Sequence, residues 1–211
     1  MPATVIVLDF ETTGMSPTRG SRPIELGAVR LQGDRITDRF QSLMHPGMRI
    51  NPFITELTGI SNEMVAEAPP CAEVIGRFAD WIGDAPLVAH NARFDIAFLD
   101  AELARLGRRR NNPFACTVLA ARRIVPEAPN HRLATLATWL ELEHNGVFHR
   151  ALADAELTAA LWLALIGRLR ARYSLTAVPF TLMQQLTLMS RSRSFSSALF
   201  PHQAAFKSPS W

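Results

Sequence analysis

Val5-Ile6-Val7-Leu8-Asp9-Phe10-Glu11 is the stretch on which the fold turns. Four consecutive apolar residues predict a central strand covered on both faces. That strand ends in two carboxylates. Side chains two apart on a strand point the same way, so Asp9 and Glu11 aim two negative charges into one small volume. Like charges that close destabilise each other unless one takes a proton or a cation intervenes, and a metal is the better reading. Further groups of the same kind follow in Asp95, His149 and Asp154.

Working outward, Thr12 to Arg22 is rich in Gly, Pro, Ser and Thr and predicts a loop. Ile24–Leu31 and Arg35–Met44 predict two strands joined by the hairpin signal Gly33-Asp34. Residues 51–70 predict short helical pieces interrupted at Gly59, and Glu73–Ile82 has the 3.6-residue apolar repeat of an amphipathic helix. Pro86–Ala89 predicts a short buried strand. Phe94–Leu106 predicts a helix stopped at Gly107, which places Asp95 in its first turn. Phe114–Ala121 predicts a strand running into a helix, His131–Leu140 another helix, and Ala151–Tyr173 the longest one, with Asp154 on its first turn. A hairpin followed by alternating strand and helix predicts an α/β domain with a mixed sheet.

A chain of 211 residues, 48% hydrophobic, has room for one domain and an appendage. The expected division is a domain at 1–173 and a basic, Ser-rich appendage at 174–211, with Pro179–Ser190 as a short apolar helix. Cys71 and Cys116 sit far apart and read as small core residues in a reducing compartment. The N-terminal apolar run is short and lacks a preceding basic region, and the longest later run, Ala159–Ile166, is far below the roughly 20 residues of a membrane span. A cytoplasmic protein is expected. The net charge of +3 hides an asymmetry. Residues 157–211 hold no acid, but they hold Arg168, Arg170, Arg172, Arg191, Arg193 and Lys207. A basic tail on a slightly acidic body suits an anionic partner or a solvated terminus. Phe195, Phe200, Phe206 and Trp211 within it suit stacking on bases, docking onto a partner, or packing back on the body.

Acidic oxygens without nearby thiols favour hard divalent ions, Mg²⁺ or Mn²⁺. Four carboxylates suffice for two ions about 4 Å apart, the arrangement that clamps the attacking and leaving oxygens of an in-line phosphoryl displacement. An imidazole such as His149 suits the removal of a proton from the attacking water. Each residue also has a plainer role. Asp95 and Asp154 suit the positive end of a helix dipole, His149 suits a surface cap, and Asp9 and Glu11 suit pairing with arginines. The loop 107–112, Gly-Arg-Arg-Arg-Asn-Asn, suits phosphate contacts or plain solvation.

Four segments together narrow the choice: Asp9-Phe10-Glu11-Thr12-Thr13-Gly14, Leu57-Thr58-Gly59-Ile60, His90-Asn91-Ala92-Arg93-Phe94-Asp95 and His149-Arg150-Ala151-Leu152-Ala153-Asp154-Ala155. In this order and spacing they resemble the DnaQ-like 3′–5′ exonucleases of the DEDDh branch, the family of the proofreading subunit of bacterial DNA polymerase III and of RNase T. The resemblance covers residues 3 to about 170. It implies an RNase H-like mixed five-stranded sheet flanked by helices. It also implies release of nucleoside 5′-monophosphates from a 3′ end with two divalent ions. By the family pattern Asp9 bridges both ions, Glu11 and Asp154 complete one site, Asp95 supports the other, and His149 is the base. Thr12, Thr13, Gly14 and Met15 resemble the segment that meets the terminal nucleotide through backbone amides and an apolar wedge, with Leu57 and Ile60 near its base. Asn91 is a further substrate candidate or a cap for the Asp95 helix, Phe94 a core residue, and His131 a positioner of the helix after it.

The expected activity is exonucleolytic trimming of single-stranded 3′ ends, DNA favoured. RNase T-like trimming of RNA and a polymerase-associated proofreading or docking module are the alternatives. The tail after Tyr173 does not resemble the polymerase-binding tail of the proofreading subunit. A polymerase or other protein docking there is nevertheless the expected partner besides DNA or RNA 3′ ends.

Overall fold

A computed structural model describes residues 4–143 and 149–189. The Ser-rich, aromatic stretch expected to contact a partner, 190–211, lies outside the described residues. Five strands form one sheet in the order β3-β2-β1-β4-β5: β1 (Thr4–Thr12), β2 (Pro23–Gln32), β3 (Arg35–Leu43), β4 (Leu87–Ala89) and β5 (Phe114–Cys116). β1, β2 and β3 pair antiparallel, whereas β4 runs parallel to β1 and β5 parallel to β4. This is the mixed five-stranded sheet read from the sequence. The hairpin turns at Gly33-Asp34 with Gly33 at φ 64°, a left-handed backbone that glycine takes without steric cost.

Eight helices of the described residues cover the sheet: α1 (Pro52–Thr58), α2 (Asn62–Ala66), α3 (Cys71–Ile82), α4 (Arg93–Arg105), α5 (Thr117–Ile124), α6 (Leu133–Trp139), α7 (Ala151–Tyr173) and α8 (Phe180–Leu188). The unbroken apolar run of β1 is explained by cover on both sides. Val5 and Val7 face α5, α7 and α8 through Ala120, Leu161 and Met183. Ile6, Leu8 and Phe10 face α3 and α4 through Phe78, Ile96 and Leu99. Fully burying each such aliphatic side chain contributes about 1.5–3 kcal/mol. Asp9 and Glu11 continue the α7 side of the strand, where the apolar layer ends.

The core does not stop at Tyr173. Met183 and Leu186 of α8 are fully buried in the α7-side core, and Gln184 Nε2 donates to the Phe114 carbonyl of edge strand β5 at 3.2 Å. The helix expected at Pro179–Ser190 is present as Phe180–Leu188, and it packs against the sheet edge. No helix of the described residues is long and apolar enough to cross a membrane.

Candidate active site

β1 outruns its parallel neighbour. β4 is only three residues long and pairs with β1 at Ile6 and Val7, so the Phe10 amide, farther along the same edge, has no strand partner there. Asp95 supplies one: its Oδ1 accepts the Phe10 N–H at 3.2 Å. This ties the first turn of α4 to the end of β1 and sets a third carboxylate beside Asp9 and Glu11. Asp95 is buried in that turn, as read from the sequence.

The fourth carboxylate arrives on α7. Its first turn lies flat on β2 at Gly27, the residue opposite Asp9 in the ladder. A Cβ there would stand 2.1 Å from the Leu152 amide nitrogen and 2.2 Å from the Ala151 carbonyl carbon, so only glycine admits the helix. Asp154 Oδ2 then accepts the backbone N–H of His149 at 2.9 Å. His149 is left-handed, φ 60°, and its ring is exposed. Glu11, His149 and Asp154 present ligand atoms within 4.8 Å of one another.

Electrostatics agree with that convergence. Burial pushes Glu11 up to about 8, with the Asp154 and Glu25 charges adding to the effect. Burial and then the charge of Asp95 raise Asp9 well above the ordinary carboxylate range. Burial also raises Asp95, against the hydrogen bond from Phe10, and raises Asp154 despite the His149 amide. Such groups are stabilised by a proton or a cation. The donors are oxygens and one imidazole, and both free cysteines are buried apart from the cluster in the apolar core. That set fits a hard divalent ion such as Mg²⁺ or Mn²⁺. The roles of Asp9, Glu11, Asp95 and Asp154 would be to hold it.

An open cleft of about 540 Å³ runs from Asp9, His149 and Asp154 to an apolar wall of Val118, Leu133 and Ala134. Asn91 and His90 stand on its rim. Asn91 is exposed with φ 71°, and the residue before α4 is Ala92 with no side-chain cap; the expected cap is therefore not made. His90 orders the cleft from behind. Its Nδ1 lies 2.8 Å from Thr117 Oγ1, and its Nε2 lies 3.1 Å from the His131 carbonyl. Burial drives this ring down to about 4, so it is a neutral brace. His131 in turn reaches the Val125 carbonyl at 3.2 Å, which holds the connection into α6.

The loop after β1 is stapled shut. Thr13 and Arg22 exchange two hydrogen bonds, and the Arg22 guanidinium makes two bonds, 2.7 and 2.9 Å, to buried Glu102 of α4. Thr12 is itself buried and donates to the Gly14 carbonyl at 2.7 Å. Met15 is thereby raised into solvent, 82% exposed. Leu57 is also exposed, along with Met48, Phe53 and Met64; these last three went unread in the sequence, although Phe53 and Leu57 at i and i+4 mark one outward face of α1. Ile60 sits deeper than Leu57. It is fully buried with Ile24, Ile50 and Val65, so it supports this surface from beneath.

Glu25 and Arg150 also went unread. Glu25 is fully buried opposite Glu11. Burial would raise it, but hydrogen bonds from Arg150, Gln41 and Ala151 prevail and hold its carboxyl below the ordinary value. The signal was a lone glutamate inside the apolar strand Ile24–Leu31.

Sheet order, flanking helices and acids at the end of the central strand together define an RNase H-like fold. The exonuclease family, RNase T type, matches residues 6–162. DNA polymerase III PolC-type of Bacillus cereus is 41% identical over 164 residues, covering 77% of this chain and 11% of that protein. DNA polymerase III subunit epsilon of Aquifex aeolicus is 36% identical over 176 residues, 83% of this chain and 86% of that one. Among solved structures, exonuclease X in complex with 5′ overhanging duplex DNA superposes with a TM-score of 0.68 at 26% identity, covering 87% of this chain and 99% of that one. The chain belongs to the DnaQ-like 3′–5′ exonuclease family. It spans only 11–12% of the length of the first PolC-type relatives.

Proposed function

We propose that this protein removes nucleoside 5′-monophosphates one at a time from the 3′ end of single-stranded nucleic acid, with DNA favoured, using two divalent ions. The convergence of Glu11, His149 and Asp154 within 4.8 Å carries this reading. Those carboxylates, with Asp9 and Asp95, supply the negative oxygens that such ions need. When bound, the ions supply Lewis acidity to the attacking and leaving oxygens of the displacement.

The protein's own groups do the rest. The terminal nucleotide lies over the β1–β2 loop, with Met15 and Leu57 against its base and the Thr12–Gly14 backbone beside its sugar. The preceding nucleotide follows the cleft past Asn91 toward Leu133. His149, exposed and tethered through its own amide to Asp154, takes the proton of the attacking water as general base.

Polymerase-associated proofreading is a second reading, favoured by the likeness to the polymerase III proteins. In that reading the segment beyond α8 docks on the polymerase. The experiment is a time course with Mg²⁺ or Mn²⁺ on 5′-labelled single-stranded DNA, matched RNA and mispaired duplex ends, with Asp154→Asn alongside. A ladder shortening from the 3′ end of DNA, lost in Asp154→Asn, supports the proposal. Trimming of RNA alone replaces it with RNA maturation, and an active Asp154→Asn removes the assigned site. Copurification with a polymerase that depends on residues 190–211 would support the docking role.

A further inference from the structure

Neither His149 nor Asp154 is held in place by α7 alone. The chain between them is fastened to the middle of the sheet by a single carboxylate. Glu25 Oε2 accepts the Arg150 Nε–H at 3.1 Å and the Ala151 backbone N–H at 3.1 Å. Its Oε1 accepts from Arg150 Nη2 at 2.9 Å and from Gln41 Nε2 at 3.0 Å. Four donors thus converge on one fully buried side chain. Arg150 and Ala151 are the two residues immediately after His149. The Asp154 amide donates to the Arg150 carbonyl at 3.0 Å, and the Asp154 carboxylate accepts from the His149 amide. Residues 149–154 are therefore tied to Glu25 through this one chain of hydrogen bonds.

We propose that Glu25 is a positioning residue of the active site: from β2, through Arg150 and the Ala151 amide, it sets where His149 and Asp154 stand relative to Asp9 and Glu11. This rests on the exonuclease reading of the site. The chemistry demands a carboxylate specifically. Both oxygens accept two donors each, whereas a glutamine amide would turn an NH₂ group against two of those four donors. Asp is one methylene short. Arg150 matters for its planar fork, which spans both oxygens of Glu25; a lysine ammonium keeps the charge without the fork. Small displacements at a reacting centre cost large factors in rate, so a loosened anchor acts on turnover more than on substrate binding.

The test compares wild type with Glu25→Gln, Arg150→Lys and the double variant Glu25→Leu/Arg150→Leu. Three quantities are read: kcat and KM on a single-stranded oligonucleotide, Mn²⁺ affinity by electron paramagnetic resonance, and melting temperature. Glu25→Gln is expected to lower kcat at least 30-fold with KM within about threefold, and to weaken Mn²⁺ about tenfold. Arg150→Lys should move the same quantities in the same direction by about fivefold, and it carries the test should Glu25→Gln fail to fold. Replacing both members of a buried pair by apolar residues often restores stability, but leucine at 25 still orphans the Ala151 amide and Gln41 Nε2, so the double-leucine variant should recover melting temperature only in part and kcat not at all. Recovery of kcat together with melting temperature would reduce the pair to a structural brace and overturn the proposal. So would wild-type kcat and Mn²⁺ affinity in Glu25→Gln, or a raised KM alone in Arg150→Lys, which would make Arg150 a substrate contact. If wild type itself releases no nucleotide, the exonuclease reading fails, and the Mn²⁺ titrations still decide the role of Glu25.

Discussion

Glu11 and Glu25 stand directly opposite each other on neighbouring strands, yet they hold opposite electrostatic positions. Glu25 is satisfied by four donors and stays ionised. Glu11 is pushed up to about 8, and no hydrogen bond to its carboxylate is found among the described residues. Like charges directly opposite destabilise a sheet. One member of the pair is neutralised from within the fold, and the other is left for a cation.

Removing that second charge should therefore trade function for stability. Glu11→Gln is expected to raise the melting temperature in chelator by a few degrees, equivalent to about 1–2 kcal/mol. It should also lower exonuclease turnover at least 10²-fold. A variant that melts at or below the wild-type temperature without metal would show that the Glu11 charge is not a cost to the metal-free fold.

Gly27 is where β2 admits α7. Gly27→Ala places a methyl group within 2.4 Å of Ala151 and Leu152 backbone atoms. Backbone cannot rotate aside as a side chain can. The expected cost is about 3 kcal/mol in denaturant unfolding, with turnover of the folded protein reduced at least tenfold because Asp154 moves with Leu152. Wild-type turnover in folded Gly27→Ala would mean that the helix shifts without disturbing the acids.

Much of this arrangement was legible in the chain. The Asp9–Glu11 spacing fixes one direction for both side chains because a strand has a period of two. Asp95 and Asp154 were placed by helix starts, where sequence signals are strong. Glu25, Gly27 and Arg150 were not, because their importance lies in contacts spanning over a hundred residues, and a glutamate or glycine inside a strand has no local mark of its partner. The burial of Ile60 has no local mark either. Leu57 and Ile60 are three apart, but Gly59 at φ 71° ends α1 between them, so one stays exposed while the other turns into the core. The packing of α8 was not legible at Tyr173 because a short apolar helix after a turn looks the same whether it caps a sheet edge or dangles.

That packing has a measurable consequence. Truncation after Tyr173 removes Met183 and Leu186, both fully buried, and uncovers the edge of β5. Loss of two such side chains amounts to about 3–6 kcal/mol. Urea unfolding of the truncated chain should show a midpoint lowered accordingly, or no folded baseline. An unchanged midpoint would make α8 an ornament on a finished core.

His90 should set an acid limit on stability. Its folded value is about 4 against 6.5 for a free imidazole. The stability it contributes is complete above about pH 6.5 and is lost as the pH falls toward 4, because the unfolded chain gains a proton that the folded one refuses. The full shift corresponds to about 3 kcal/mol. The difference in unfolding free energy between wild type and His90→Gln should therefore shrink across that window. A difference independent of pH would show that the ring takes its proton as readily in the fold as in the unfolded chain.

The acid cluster runs the other way. Below pH 4.5 Glu11 is protonated whether the chain is folded or not and costs nothing; as the pH rises toward 8 the unfolded chain releases a proton that the metal-free fold retains, and stability falls. A divalent ion removes that cost and binds only the ionised carboxylates. Added Mn²⁺ should therefore raise the melting temperature, and by more at pH 8 than at pH 6. Saturation at about 100 times Kd is worth about 2.7 kcal/mol, several degrees for a chain of this size. The increment should vanish in Asp9→Asn/Glu11→Gln. An increment that persists there would place the ion elsewhere on the protein, and one that does not grow with pH would mean that these carboxylates are not what it displaces protons from.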